Sequence, residues 1–185
     1  MRRWIAAAII VFVSVNFYIS IRSKKPVTKN KMDVSYMLEE IKQNLEEDYP
    51  KDPSGIVNIH NRLMDILYGK ELADEEVELV AHLQRKLYWE KLLLLNPEDK
   101  QLEEIKNELL LNKEKNTKVI SSKVIESRYN TSENFIAEVI HYTNKEDILR
   151  KYILKEEFNE GPNNQKQWKI YGWKELGSSK AQEEE

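Results

Sequence analysis

Cysteine is absent from the 185 residues. That excludes disulfides, thiolate nucleophiles, cysteine-ligated zinc and an anchor through a lipidated cysteine. Glycine and proline are scarce, at five each, which argues against an all-β chain punctuated by Gly/Pro turns. The glycines are isolated, so no loop can cradle a phosphate through successive backbone N–H groups. Histidine occurs three times, at His60, His82 and His141, and no two have the spacing of a metal-binding helix. Glu78 precedes His82 by one helical turn, a spacing that reads as a surface contact. Ser121 and Ser122 lack the flanking glycines of a nucleophile elbow, so no Ser-His-Asp arrangement is expected. Glu156, Glu157 and Asp147 read as solvated carboxylates, and Glu138 as exposed at a sheet edge. Catalytic, cofactor and metal residues are all expected to be absent.

What is present is charge, at 33% of residues, with a net of −3. Its distribution is uneven. Residues 1–32 carry seven Lys or Arg and no acid. The remainder is therefore −10, a poor match to a nucleic-acid backbone, which needs clustered cations. No nucleic-acid partner is expected.

Residues 4–21, WIAAAIIVFVSVNFYISI, contain no charge. As a helix they would span about 27 Å at about 1.5 Å per residue, close to a hydrocarbon core. Arg2 and Arg3 flank one end, and Arg22, Lys24 and Lys25 the other. Trp4 and Tyr18 stand where interfacial aromatics do. The competing reading is a cleaved signal peptide, which wants small residues at −3 and −1. Tyr18, Ile21 and Arg22 spoil those registers. The segment therefore reads as an uncleaved single-pass signal anchor that meets membrane lipid, after a basic tail at 1–3 and before a basic linker at 22–32. Counted strictly, the flanking charges favour a cytoplasmic body. A short basic N-tail on a signal anchor favours a body outside, and the reading adopted is extracytoplasmic.

Residues 33–176 read as one α+β domain, helical over 33–115 and a sheet over 117–176. Apolar residues at helical spacing predict helices over 33–47, 53–68 and 74–95, with a fourth after Asn96-Pro97. Asp33 and Asp52 read as N-caps, Pro53 as a first helical residue and Gly69 as a stop. The run Leu92–Leu95 is apolar all round and reads as deeply buried. Leu102, Ile105, Leu109 and Leu110 read as the inward face of the last helix. Beyond Asn116 the period changes to that of strands, predicted over 118–129, 135–142, 148–158 and 167–173. Tyr152, Leu154 and Phe158 share one face of the third. Short turns between them imply a four-stranded antiparallel meander with helices on one face. Residues 177–185 read as a disordered acidic tail.

Four segments carry a resemblance: Tyr49-Pro50, the stretch ILYGKELADEE from Ile66 to Glu76, Glu90-Lys91-Leu92-Leu93 with Asn96-Pro97, and the closing Trp168-Lys169-Ile170-Tyr171-Gly172-Trp173. Over about residues 33–175 the chain resembles a family of membrane-anchored proteins of unassigned function from clostridia-like Gram-positive bacteria. More distantly the element order is similar to nuclear-transport-factor-two-like cone domains, which curl a sheet around helices. That likeness implies a cystatin- or cone-like architecture and no particular activity.

The aromatics Phe135, Tyr152, Trp168, Tyr171 and Trp173 form the one candidate ligand or partner surface, with core packing as the alternative use of such residues. The function reads as a non-catalytic binding or interaction module. The alternatives are a structural or assembly partner of a membrane complex, docking another protein through its helices or the Leu92–Leu95 face, and a small-pocket enzyme of cone-like fold.

Overall fold

The computed structural model describes residues 29–158 and 166–180. The anchor at 4–21, the tail at 1–3 and most of the linker at 22–32 lie outside the described residues. Among those described, no helix is long and apolar enough to cross a membrane. The chain divides into Met1–Tyr36 and Met37–Glu185; the first helix begins in the first unit, and the packing described below is that of the second.

Five helices precede four strands: α1 Lys29–Glu47, α2 Pro53–Gly69, α3 Asp74–Lys86, α4 Glu90–Leu95 and α5 Glu98–Glu114, then β1 Val119–Thr131, β2 Asn134–Thr143, β3 Glu146–Phe158 and β4 Lys166–Lys180. The strands form one antiparallel sheet in the order β1-β2-β3-β4, the meander that the turn spacing implies. Helix α1 starts four residues before Asp33, which is therefore no cap. Asp52 does cap α2, accepting from the Gly55 N–H at 2.8 Å, with Pro53 as the first helical residue. Helix α3 begins with a backbone–carboxylate contact from Ala73 N–H to Glu76 at 2.8 Å.

The helix predicted over 74–95 is two helices. At Leu87–Trp89 the backbone leaves the helix and pairs with β4: Ile170 N–H donates to Leu87 O at 2.8 Å, and Trp89 N–H to Ile170 O at 3.0 Å. Leu87 and Tyr88 are buried there. A partner strand satisfies these groups as well as a helical turn would, and it also covers part of the β4 edge. Helix α4 then runs on the outside. Leu94 and Leu95 are 73% and 81% exposed, so the Leu92–Leu95 run is not the buried end expected. Leu110 is exposed too, and only Gln101 and Ile105 of α5 are buried. Phe158 is likewise exposed.

Strand β4 continues to Lys180, pairing Gly177–Lys180 with the start of β3. Those four residues belong to the sheet and not to a tail.

One face of the sheet carries the core. Phe135, Ala137, Val139, His141 and Thr143 alternate along β2 and are all buried. Leu38, Ile41 and Leu45 of α1, with Ile56, Leu63, Ile66 and Leu67 of α2, supply helical core residues. Glu138 points to the other face of this central strand, where it pairs with Lys151 at 2.7 Å. It is therefore half-buried and not at an edge. Tyr129 on β1 meets Trp168 on β4 with ring centroids 5.8 Å apart, although two strands lie between them and three strand spacings amount to about 14 Å. The outer strands therefore lean toward one another over the inner face.

Gly69 ends α2, but by close approach and not by a left-handed turn. A Cβ there would stand 2.5 Å from the Val119 carbonyl oxygen, where helix and β1 nearly touch. Gly69→Ala is expected to destabilise the fold by about 1–3 kcal/mol through this clash, despite alanine's better helix propensity. A lowered urea midpoint at unchanged m-value is the check.

Candidate functional site

Helix α2 presents His60, Met64 and Tyr68 at spacing i, i+4, i+8, hence on one stripe. Strand β3 faces that stripe with Arg150 and Tyr152, two residues apart and so on the same side. Strand β4 reaches it only because of a bulge. Ile153 pairs with Gly172 and Leu154 with Ile170, leaving Tyr171 as the extra residue. The bulge shifts the alternation so that Trp168, Ile170 and Trp173 all face inward.

The result is an aromatic nest around a fully buried histidine. His60 is 2% exposed. Its ring lies 5.2 Å from Tyr152, 5.9 Å from Tyr88 and 6.1 Å from Trp173, centroid to centroid. Its Nε2 is 3.3 Å from the Tyr88 hydroxyl, while its Nδ1 has no hydrogen-bond partner. Burial, with smaller effects of His141 and Arg150, pushes its pKa down to about 3.

Beside the nest runs a continuous row of hydrogen bonds. The Ser122 hydroxyl lies 2.5 Å from Asp65 Oδ1, and the Ser122 N–H donates to Oδ2 at 3.2 Å. Ser122 Oγ is 2.7 Å from His141 Nδ1, and His141 Nε2 is 3.2 Å from the Tyr152 hydroxyl. An ionised carboxylate can only accept. With Asp65 ionised, Ser122 donates to it, His141 Nδ1–H donates to Ser122, and Tyr152 donates to His141 Nε2. Arg150 lies against the Tyr152 hydroxyl. The row thus runs from a cation to an anion with every proton assigned. Burial, aided by Arg150, pushes the His141 pKa down to about 4. Burial pushes Tyr152 up to about 12 against the pull of Arg150. Burial also raises Asp65, against its two bonds from Ser122.

A cavity of about 130 Å³ opens on the nest, walled by His60, Tyr88, Trp173, Arg150, Gln84 and Gln101. Glu104 and Glu108 also border it, and both are exposed. Glu108 accepts from the Tyr68 hydroxyl at 2.5 Å. A larger depression of about 560 Å³ lies between Leu72, Leu109 and Lys118. Its cations, Lys70, Lys113 and Lys118, are exposed, and neither buried polar atom without a partner, His60 Nδ1 or Asn61 Oδ1, belongs to a residue lining it. The smaller cavity therefore holds the chemistry. Among the described residues, no three of His, Asp and Glu converge as a metal-binding set.

The five aromatics singled out in the sequence fall into three places. Phe135 and Trp168 pack together with Tyr129 at one end of the sheet. Tyr152 and Trp173 join His60 in the nest, with Trp173 40% exposed. Tyr171, the bulge residue, stacks outside on Trp89 at 4.6 Å, with the Lys155 ammonium 4.0 Å from its ring centroid. His82 pairs with Glu98 at 3.6 Å, while Glu78 pairs with Lys106 at 3.3 Å, so the expected His82–Glu78 contact is replaced by two contacts to α5. Asp65, Ser122 and His141, where no Ser-His-Asp grouping was expected, do come together. Sequence reasoning missed Arg150 and Asp65 altogether. The one signal was Arg150 sharing the parity of Tyr152 and Leu154 on β3.

Two buried neutral histidines make stability depend on pH. Below about pH 6.5 the unfolded chain protonates both, while the fold holds His141 neutral to about 4 and His60 to about 3. The unfolded state then binds more protons, so stability is lost as pH falls through that window. Each histidine contributes a slope of about 1.4 kcal/mol per pH unit. Asp65, with its raised carboxyl, works in the opposite sense at the acid end. Urea midpoints between pH 7 and 4.5 should fall accordingly, and His141→Asn should roughly halve the slope.

No curated protein and no solved structure matches the chain. A family model does match, over residues 1–173. The chain belongs to that family, the domain of unknown function DUF6715.

Proposed function

We propose that this protein is a single-pass, membrane-anchored module that binds a small ligand in the cavity beside His60, without catalysis. The observation that carries the reading is the cavity's lining. A histidine 2% exposed keeps one ring nitrogen without a partner, and buried polar atoms are otherwise nearly always satisfied. The ring itself belongs to the cavity wall, where a bound molecule would pack on it. Gln84 and Gln101, both buried, add donors and acceptors to the same wall, and Tyr88 and Trp173 add apolar area. A few placed polar groups among aromatics is the usual make-up of a ligand site.

Two features support binding over catalysis. In a nucleophilic triad the histidine stands between serine and carboxylate. Here Ser122 stands between Asp65 and His141, donating its proton to the carboxylate. Nor does any of these three residues line the cavity. The row works as internal bracing, and the curled sheet with helices on its inner face accords with a cone-like architecture.

Attachment through residues 4–21 rests on their uncharged apolar length and flanking cations, and a body outside the cell rests on the short basic N-tail before that segment. A second reading, docking to another protein of a membrane complex, draws on the exposure of Leu94, Leu95, Leu110 and Leu111.

Full-length chain labelled with 5-fluorotryptophan and held in detergent micelles gives one ¹⁹F signal per tryptophan, and Trp173→Phe identifies the Trp173 line. Titration with a library of small acids, amines, amides and alcohols should move that line and leave the Trp168 line in place. If no compound moves it, the binding reading fails. Separately, protease added to intact cells should digest residues 37–176. Digestion only after lysis would place the body inside.

A further inference from the structure

Arg150 is half-buried on the inner sheet face and lines the cavity. Its charge reaches His60, Tyr68 and Tyr88, which line the same cavity, and His141 and Tyr152 of the hydrogen-bonded row. Yet among the described residues no carboxylate lies within ion-pair distance of it. Glu175, opposite it on β4, is exposed. An arginine drawn out of bulk water without an anion presents a planar fork of donors suited to a carboxylate. At the same cavity Glu104 and Glu108 place negative charge on exposed side chains. Glu108 is held by the Tyr68 hydroxyl at 2.5 Å, and Glu104 has only a loose partner in Lys100 at 3.9 Å. The site is therefore two-poled, with a half-buried cation and exposed anions.

From this we infer that the cavity takes a small zwitterion of the α-amino-acid class, its carboxylate on Arg150 and its ammonium toward Glu104 and Glu108. A cavity of about 130 Å³ suits a molecule of few heavy atoms. The inference rests on the ligand-binding reading above and adds the chemistry of the ligand. The row from Tyr152 to Asp65 gives Arg150 a fixed neighbour, because the Tyr152 hydroxyl against it is itself tied to His141. Arg150 is thereby held in place for the carboxylate before any ligand arrives.

The test uses the fluorotryptophan-labelled full-length chain with glycine, acetate and methylammonium as probes at constant ionic strength. Glycine should move the Trp173 line at the lowest concentration, acetate at a higher one, and methylammonium not at all. Arg150→Gln should weaken glycine and acetate about tenfold or more, as expected for a lost charge-assisted hydrogen-bonded pair. Glu104→Gln with Glu108→Gln should weaken glycine but not acetate, which keeps the test open if Arg150→Gln fails to fold. Methylammonium binding as tightly as glycine overturns the inference, as does glycine binding unchanged in a folded Arg150→Gln. In both cases the line still moves, so the binding reading survives. If neither these probes nor any neutral compound moves the line, both are overturned.

Discussion

The hydrogen-bonded row from Asp65 through Ser122 and His141 to Tyr152 sets how α2 lies on the sheet. It ties the last turns of that helix to three neighbouring strands by distances of 2.5 to 3.2 Å. An apolar interface tolerates sliding, because one methyl contact replaces another at little cost. A row of directed bonds does not, since a shift of one residue leaves buried donors and acceptors unpaired at about 1–3 kcal/mol each. Gly69 follows from the same seating. Once Asp65 is fixed on Ser122, the helix end arrives against the Val119 carbonyl, where no side chain fits.

The closing Trp-Lys-Ile-Tyr-Gly-Trp segment takes on meaning in this frame. Ile170 pairs by backbone with Leu87 and Trp89. Lys169 donates to Lys86 O at 2.6 Å and lies over the Tyr49 ring, its charge disfavoured by burial so that its pKa falls to about 8. Tyr49 in turn donates to Trp168 O at 3.0 Å. The bulge at Tyr171 then turns Trp173 onto His60. One short segment thus joins the helix connection to the sheet and walls the cavity.

Much of the architecture was legible along the chain. Local physics wrote it: Asp52 and Pro53 start α2, period-two alternation marks β2, and short polar turns order the meander. The site was legible only in part. Tyr152 and Trp173 were noticed as aromatics, but nothing in their spacing separates them from Phe135 and Trp168, which pack elsewhere. Asp65 and Ser122 lie 57 residues apart, and no local pattern announces such a pair. The break after Lys86 was invisible for a like reason. Its compensation is backbone pairing to Ile170, some eighty residues on, and the apolar period alone reads as one continuous helix.

The sequence by itself determined that the chain has no thiol chemistry, that its charge is split between a basic N-terminal stretch and an acidic body, and that helices precede an antiparallel meander. Those properties are sums over composition and neighbours, so they survive without coordinates. Tertiary structure decided which polar residues are buried together, where Trp173 points, and that Arg150 meets a cavity and not a carboxylate. Such facts depend on contacts between residues distant in the chain and on a one-residue bulge, and a bulge reverses every side chain beyond it while leaving the local pattern of residue types almost unchanged.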